Sequence, residues 1–170
     1  EAFAWDDGEM LMRPIRPDDG ERHLAFLARL DPEDIRLRVF SSRRSIAPSE
    51  LARLTQIDYE REMAFVATIA GADGQQETIG TVRAVTDPDN ARAEFGVIVR
   101  SDMKGRSLGF LLMKKMIRYC RERGTGELVG DVLRENAGML KLARALGFEV
   151  QSGADSEFVR IRLPLQAAEG

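Results

Sequence analysis

The sequence predicts a protein of the α/β (α+β) class, in which helices flank a mixed, mostly antiparallel central sheet of about seven strands. The chain has 170 residues and is 44% hydrophobic, which is enough for one sizeable core and short for two. Alternating apolar patterns at 63–69, 78–85 and 91–99 are separated by turn residues, which predicts three consecutive antiparallel strands. A helical pattern then separates 91–99 from the next strand pattern at 127–133, and such a crossover joins parallel strands.

The N-terminal third is expected to contain one strand and three helices. Residues 1–10 read as a loose lead-in and residues 11–16 as a short strand. Asp18 or Asp19 can cap the helix that follows. The apolar stripe of this helix consists of Leu24, Phe26, Leu27 and Leu30. Two further helical patterns lie within 32–57.

The second half is predicted to continue with two helices and the remaining strands. A strongly amphipathic helix begins at Leu108, and a second helix, capped by Asn136, ends at Gly147. The apolar face of the first of these helices consists of Leu108, Leu111, Leu112, Met116, Ile117 and Cys120. Strand patterns at 148–150 and 157–163 complete the sheet.

Composition narrows the functional class. The net charge is −3, whereas nucleic-acid-binding proteins typically carry an excess of positive charge, so we expect no nucleic-acid partner. No apolar run reaches the roughly 18 residues that span a bilayer, and no signal-peptide pattern opens the chain, so we expect a cytoplasmic protein with no membrane partner. Because the first residue is Glu1 and not a methionine, we expect residues 1–170 to be a single domain excised from a longer chain.

Histidine and cysteine usage argues against a metal centre and against a catalytic triad. His23 is the only histidine, and Cys120, the only cysteine, lies on the apolar face of a predicted helix. We therefore expect no metal, and we interpret Cys120 as a buried small hydrophobe and not as a catalytic thiol.

The stretch 97–112 joins an apolar strand, a polar loop and a helix start. The loop carries glycines together with Lys104 and Arg106. A helix N-terminus offers unpaired backbone N–H groups and the positive end of the helix dipole, so this arrangement is suited to bind a pyrophosphate. The same pattern is also typical of a surface turn whose glycines serve only its geometry. The loop by itself leaves both interpretations open.

The order of elements and two motifs resemble the GNAT superfamily of acetyl-CoA-dependent N-acetyltransferases over residues 11–163. The superfamily signature has a Gln or Arg, two residues, a Gly, one residue and a Gly or Ala at the start of the central helix. Lys104, Ser107 and Gly109 occupy these positions here, so two of the three depart from the commonest pattern. The later motif at 136–148 resembles the family as well. The resemblance implies a GNAT-like fold with acetyl-CoA as co-substrate.

Within the superfamily, segments 57–67 and 93–105 resemble the bacterial protein-lysine acetyltransferases of the Pat type. Those enzymes acetylate a lysine on acyl-CoA synthetases such as acetyl-CoA synthetase, and in many of them this domain follows a large acyl-CoA-synthetase-like region. The resemblance therefore implies protein lysine acetylation, an acyl-CoA synthetase as the protein substrate, and a fusion to such a region in the full-length protein.

The resemblance also implies roles for individual residues. A glutamate at the position of Glu94 is the general base in the resembling enzymes, directly or through a water, whereas strand alternation alone makes Glu94 an outward residue of a half-exposed strand. The splayed strand of the family implies thioester and pantetheine contacts for Val97, Ile98 and Val99. Asn136 is a helix cap by its position, and the family adds a contact with the CoA arm. The residues implied around the pyrophosphate are Lys104, Gly105, Arg106, Ser107, Leu108, Gly109 and Phe110.

The general acid is left unassigned. Ala143 stands where the family usually has a tyrosine, and Tyr59 or water are the substitutes. The leaving group is the CoA thiolate. If the CoA thiol resembles that of cysteine, with a pKa near 8.5, the thiolate departs with little need for protonation, so the missing tyrosine is tolerable.

The acceptor amine is the least constrained part of the hypothesis. Asp58, Glu60 and Glu62 could attract the basic surroundings of a target lysine. A basic cluster either faces solvent or docks an acidic patch on a protein substrate, and it consists of Arg36, Arg38, Arg43 and Arg44. Transfer to a small-molecule amine would use the same machinery. A non-catalytic acyl-CoA sensor that regulates a fused synthetase region is a third hypothesis.

Overall fold

The computed structural model describes residues 2–5, 8–31, 62–100, 107–151 and 157–165. Within these residues one sheet is formed by β1 Ala2–Trp5, β2 Gly8–Pro14, β3 Glu62–Ala70, β4 Gln76–Thr86, β5 Arg92–Val99, β6 Glu127–Leu133, β7 Glu149–Gln151 and β8 Phe158–Pro164. The described helices are α1 Gly20–Ala28, which follows a 3-10 turn at Pro17–Asp19, α2 Leu108–Glu122 and α3 Ala137–Ala145. The predicted helical patterns within 32–57 lie outside the described residues.

The sheet has the order β1-β2-β3-β4-β5-β6-β8-β7. All neighbouring strands are antiparallel except β5 and β6, which are parallel because α2 carries the chain back between them. This confirms the predicted class and the βαβ crossover. The described residues contain eight strands and not the predicted seven.

The additional strand corrects the prediction of a loose lead-in over residues 1–10. Ala2–Trp5 pairs antiparallel with Gly8–Leu11 to form an N-terminal hairpin. Met10 is fully buried and Phe3 packs against the main core, so the segment is held by apolar burial as well as by its ladder. The sequence did not predict this hairpin because its apolar runs are short and are interrupted by charged residues.

The main core lies between the sheet and the two C-terminal helices. The predicted apolar face of α2 is confirmed except at Leu111, which is only partly buried; the buried side chains are Leu108, Leu112, Met113, Met116, Ile117 and Cys120. Gly80 of β4 allows the close approach of α2, because a Cβ there would lie 2.9 Å from Leu112 Cδ1. We call this side of the sheet the core face.

The apolar stripe predicted for helix α1 is buried at Phe26 and Leu30 and half-buried at Leu27, and its exception is Leu24. His23, Phe26 and Leu30 are buried, whereas Leu24, which was predicted to face inward, is 43% exposed. The buried positions recur at intervals of three and four residues from His23, which places Leu24 outside the stripe. The prediction for Leu24 was wrong, because the stripe was drawn from apolar residues alone and the buried side chain beside it is the polar His23.

Candidate active site

β5 and β6 lie side by side over three residue pairs and then separate. The paired residues are Arg92 with Glu127, Ala93 with Leu128, and Glu94 with Val129. Beyond these pairs β5 continues along β4 as far as Val99, and β6 continues along β8 as far as Leu133. A gap therefore opens between the two strands, and its closed end lies at Glu94. Gly130 accommodates the ring of Phe95 at this point, because a Cβ at Gly130 would lie 2.8 Å from Phe95 Cε1.

The backbone of β5 presents polar groups to this gap. The amide of Arg100 donates to a β4 carbonyl at 2.8 Å, and the carbonyl of Arg92 accepts from the amide of the residue that follows β4 at 2.9 Å. The backbone N–H and C=O groups of successive residues in a strand point alternately to its two sides. Ile98 therefore also directs its N–H and C=O toward β4, whereas Val97 and Val99 direct theirs away from β4. Of the three residues predicted to contact the thioester and pantetheine, Val97 and Val99 therefore have backbone groups facing the gap.

The N-terminus of α2 lies beside the open end of this strand. The first helical hydrogen bond runs from Leu111 N to the Ser107 carbonyl at 3.1 Å, so the N–H groups of Leu108, Gly109 and Phe110 have no acceptor within the helix. The Ser107 side chain makes no capping bond, and no acidic residue lies in the first turn. These are favourable conditions for binding an anion.

Gly109 joins three elements at this point. A Cβ there would lie 3.4 Å from Leu142 of α3 and 3.9 Å from Val99 of β5. Leu108 is buried, so that only its backbone could meet a phosphate, and Phe110 is half-buried. The remaining residues predicted around the pyrophosphate lie outside the described part of the chain, and they are Lys104, Gly105 and Arg106.

Ser107 explains why the family pattern prefers glycine at its position. It adopts φ 66° and ψ 12°, the left-handed region that disfavours a side chain. We expect Ser107→Gly to raise the free energy of unfolding by about 0.5 to 1 kcal/mol, since the relieved strain exceeds the added entropy of glycine in the unfolded chain. Denaturant melts measure this change, with Ser107→Ala as the control because it keeps the strained φ. Equal stability of the two variants would contradict the explanation.

Asn136 caps α3, as its position predicted. Its Oδ1 accepts a hydrogen bond from Met139 N at 3.1 Å. This bond uses one side-chain acceptor and leaves the predicted contact with the CoA arm as a prediction. Ala143, at the position of the family's tyrosine, is fully buried in the same helix, and Tyr59 lies outside the described residues.

Glu94 projects from the sheet on the side opposite the core face. Its neighbours along the strand, Ala93 and Phe95, are buried, whereas the Glu94 side chain is 60% exposed. Arg160 of β8 reaches across β6, with Nη2 at 3.9 Å from Glu94 Oε1 and Nη1 at 3.0 Å from Asp131 Oδ1. The side of the sheet that carries Glu94, Asp131 and Arg160 is called the Glu94 face below.

Sequence analysis did not identify Asp131 or Arg160. Each lies between two buried residues on a predicted strand, and this alternation indicates only that its side chain points away from the core. Their proximity to Glu94 depends on β6 lying between β5 and β8, and no local pattern in the sequence carries that order.

Glu62 forms an ion pair with Arg83. Its carboxylate lies 3.2 Å from Arg83 Nη1, and both side chains are less than one-fifth exposed. This pairing disfavours the predicted attraction of a basic substrate surface by Glu62. The other acceptor-side candidates lie outside the described residues, and they are Asp58, Glu60, Arg36, Arg38, Arg43 and Arg44.

Cys120 is a buried small side chain, as predicted. Burial raises the pKa of its thiol to about 11, so it is almost entirely protonated at neutral pH and unsuited to nucleophilic attack. Within the described ranges no group of three or more His, Cys, Asp or Glu side chains is arranged to hold a metal ion. None of the helices described above is long and apolar enough to cross a membrane.

The arrangement is a gap between two strands of a mixed sheet, with an exposed carboxylate at its closed end and a helix N-terminus beside it. The acetyltransferase (GNAT) family model matches residues 30–148. The chain therefore belongs to the GNAT family of acetyltransferases.

Known proteins agree with this assignment. The chain is 32% identical over 151 residues to Acetyltransferase PA5475 of Pseudomonas aeruginosa, covering 88% of this chain and 81% of the relative. It superposes on the GNAT domain of S. lividans PAT with a TM-score of 0.83 and 27% identity, covering 94% and 93% of the two chains. YncA of Salmonella typhimurium, solved with its cofactor acetyl-CoA, has the same fold, with a TM-score of 0.71, 18% identity and coverage of 95% and 96%.

Proposed function

We propose that this domain is a protein lysine Nε-acetyltransferase that transfers the acetyl group directly from acetyl-CoA, with Glu94 as the general base. The observation that carries the proposal is the position of Glu94, an exposed carboxylate at the closed end of the gap between β5 and β6. The similarity to Pat-type sequences and to the GNAT domain of S. lividans PAT supports a protein as the acceptor.

A lysine amine requires a base at neutral pH. With an unperturbed pKa of about 10.4, only about one lysine in 2,500 is unprotonated at pH 7. Glu94 accepts the ammonium proton, directly or through a water, and the amine then attacks the thioester carbonyl carbon. The C–N bond forms, the tetrahedral intermediate collapses, and the C–S bond breaks to release the CoA thiolate, which takes up the second nitrogen proton directly or through solvent.

The backbone of β5 suits the next requirement, which is to stabilise the oxyanion. The attacked carbonyl oxygen becomes negatively charged, and a fixed N–H donor stabilises this charge best in a site with few competing waters. The N–H groups of Val97 and Val99 are directed away from β4 on the gap side of the strand. Either group is a suitable donor, and the remaining amide and carbonyl groups would hold the pantetheine arm.

The α2 N-terminus is the proposed pyrophosphate site. The N–H groups of Leu108, Gly109 and Phe110, which have no acceptor within the helix, would bind phosphate oxygens. Lys104 and Arg106, which precede the helix in sequence, would add positive charge. Ser107 and Gly105 would keep the backbone accessible, and Asn136 would meet the CoA arm from α3.

The proposed partner is an acyl-CoA synthetase in the cytoplasm, and the proposed full-length protein includes an acyl-CoA-synthetase-like region. Labelled acetyl-CoA incubated with this domain and an acetyl-CoA synthetase should transfer label to one synthetase lysine. The control is the same synthetase with that lysine replaced by arginine. No label on the synthetase, together with turnover of a polyamine or an aminoglycoside, would reject the protein acceptor in favour of a small amine.

A further inference from the structure

Arg160 connects the two strands that form the closed end of the gap. It is paired with Asp131 in the β6–β8 ladder, and both side chains lie on the Glu94 face. The two Asp131 oxygens accept hydrogen bonds from Arg160 Nη1 at 3.0 and 3.1 Å. The other terminal nitrogen, Nη2, lies 3.9 Å from Glu94 Oε1. One guanidinium group therefore spans β8, β6 and β5 at the point where β5 and β6 part.

We propose that Arg160 is a positioning residue for acetyl transfer: it holds the Glu94 carboxylate over the closed end of the gap, and Asp131 orients Arg160 for this task. The inference rests on the proposed function, because it assumes that Glu94 is the base.

The distances match what a working base needs. A separation of 3.9 Å is an ion pair and not a hydrogen bond, and the Glu94 carboxylate makes no hydrogen bond with another described residue. Both of its oxygens therefore remain able to accept a proton, while Coulomb attraction limits where the carboxylate moves. When Glu94 takes up a proton and becomes neutral, Arg160 keeps its bonds to Asp131, so no cation is left unpaired during turnover.

Other charged side chains on this face pair elsewhere. Arg92 of β5 lies 2.7 Å from Glu127 of β6, and Arg83 of β4 lies 3.2 Å from Glu62 of β3. Arg162, two residues beyond Arg160 on β8, pairs with Glu127 and Glu149. Among the ion pairs of the described residues, Arg160 is thus the cation that reaches Glu94, and Arg162 is its matched control.

A double-mutant cycle tests the proposal. Turnover of labelled acetyl-CoA is measured for the wild type, Arg160→Gln, Glu94→Gln and the double variant, using acetyl-CoA synthetase or, if that is not labelled, the small amine that is turned over. We expect Arg160→Gln to lower kcat by about threefold to thirtyfold, because misplacing a catalytic group is costly but an exposed ion pair is weak. The KM for acetyl-CoA should stay within about twofold. Arg160→Lys should retain more activity than Arg160→Gln, and Asp131→Asn should lower kcat in the same direction.

The decisive comparison is between the Glu94→Gln variant and the double variant. Adding Arg160→Gln to Glu94→Gln should not lower kcat further, since Arg160 would act only through Glu94. An equal loss in both backgrounds, or an equal loss from Arg162→Gln, would mean a general structural role and overturn the proposal. A strong effect of Glu94→Gln with unchanged kcat for Arg160→Gln and Asp131→Asn would reject this inference alone. Full activity of Glu94→Gln would reject the proposed base and Arg160's role with it.

Discussion

Glu94→Gln is expected to lower the turnover number for acetyl transfer by a factor on the order of 10² or more, while the affinity for acetyl-CoA stays within about twofold. Glutamine keeps the size of the side chain but cannot accept the ammonium proton. The side chain is 60% exposed and is not part of the apolar core, so its replacement should leave the fold intact. Steady-state kinetics gives the turnover number, and calorimetry with acetyl-CoA gives the affinity.

The matched control for Glu94 is Glu149→Gln. Glu149 is a glutamate on the same sheet, 58% exposed and paired with Arg162, but it belongs to β7 at the sheet edge. Its replacement should leave turnover unchanged. If Glu94→Gln retained more than about a third of wild-type turnover, the amine would be deprotonated by another group, and Glu94 would be only an outward strand residue.

Asp19→Asn should destabilise the fold by about 2 to 4 kcal/mol, because it leaves two arginines around a buried site without their counter-charge. Asp19 is fully buried at the start of α1. It accepts two hydrogen bonds from Arg13 at 2.7 Å, two from Arg22 at 2.8 and 3.0 Å, and one from Arg16 N at 2.7 Å. Denaturant unfolding measures the loss. Asp18→Asn is the control, because Asp18 is 68% exposed and should contribute no more than about 0.5 kcal/mol.

The same site predicts a pH dependence. Burial alone would raise the pKa of Asp19, but the hydrogen bonds from Arg13, Arg16 N and Arg22 outweigh it and hold that pKa far below its usual range. Since the folded pKa lies below the unfolded value of about 3.9, the stabilisation is complete above that value and is lost as the pH falls toward the folded pKa. The difference in stability between wild type and Asp19→Asn should therefore shrink below about pH 4. A difference that stays constant from pH 7 to pH 3 would contradict this account.

Local signals in the sequence were enough for most elements of the fold. Asn136 precedes an amphipathic helix, and its side chain caps that helix as expected. The parallel pairing of β5 with β6 follows from the helix between them. His23 and Leu24 show the limit of such signals, because the burial of a polar side chain depends on its tertiary surroundings.

The candidate site was predictable only where a motif is continuous in sequence. Glu94 and the β5 segment belong to one strand, so the family resemblance could place them together. The gap itself depends on where the β5–β6 ladder stops, and the contact between Arg160 and Glu94 joins residues on different strands with β6 between them. No local sequence pattern indicates where a ladder ends or which side chains meet across three strands, so both features could be identified only from the structure.

The N-terminus of α2 links ligand binding to the stability of the fold. Three backbone N–H groups of this helix lack acceptors within it, and a bound pyrophosphate would act as the cap that the Ser107 side chain does not supply. Acetyl-CoA would then be a folding ligand as well as a substrate, contributing about 2.7 kcal/mol at a concentration 100 times its Kd. The resistance of this domain to proteolysis should therefore increase when acetyl-CoA is added.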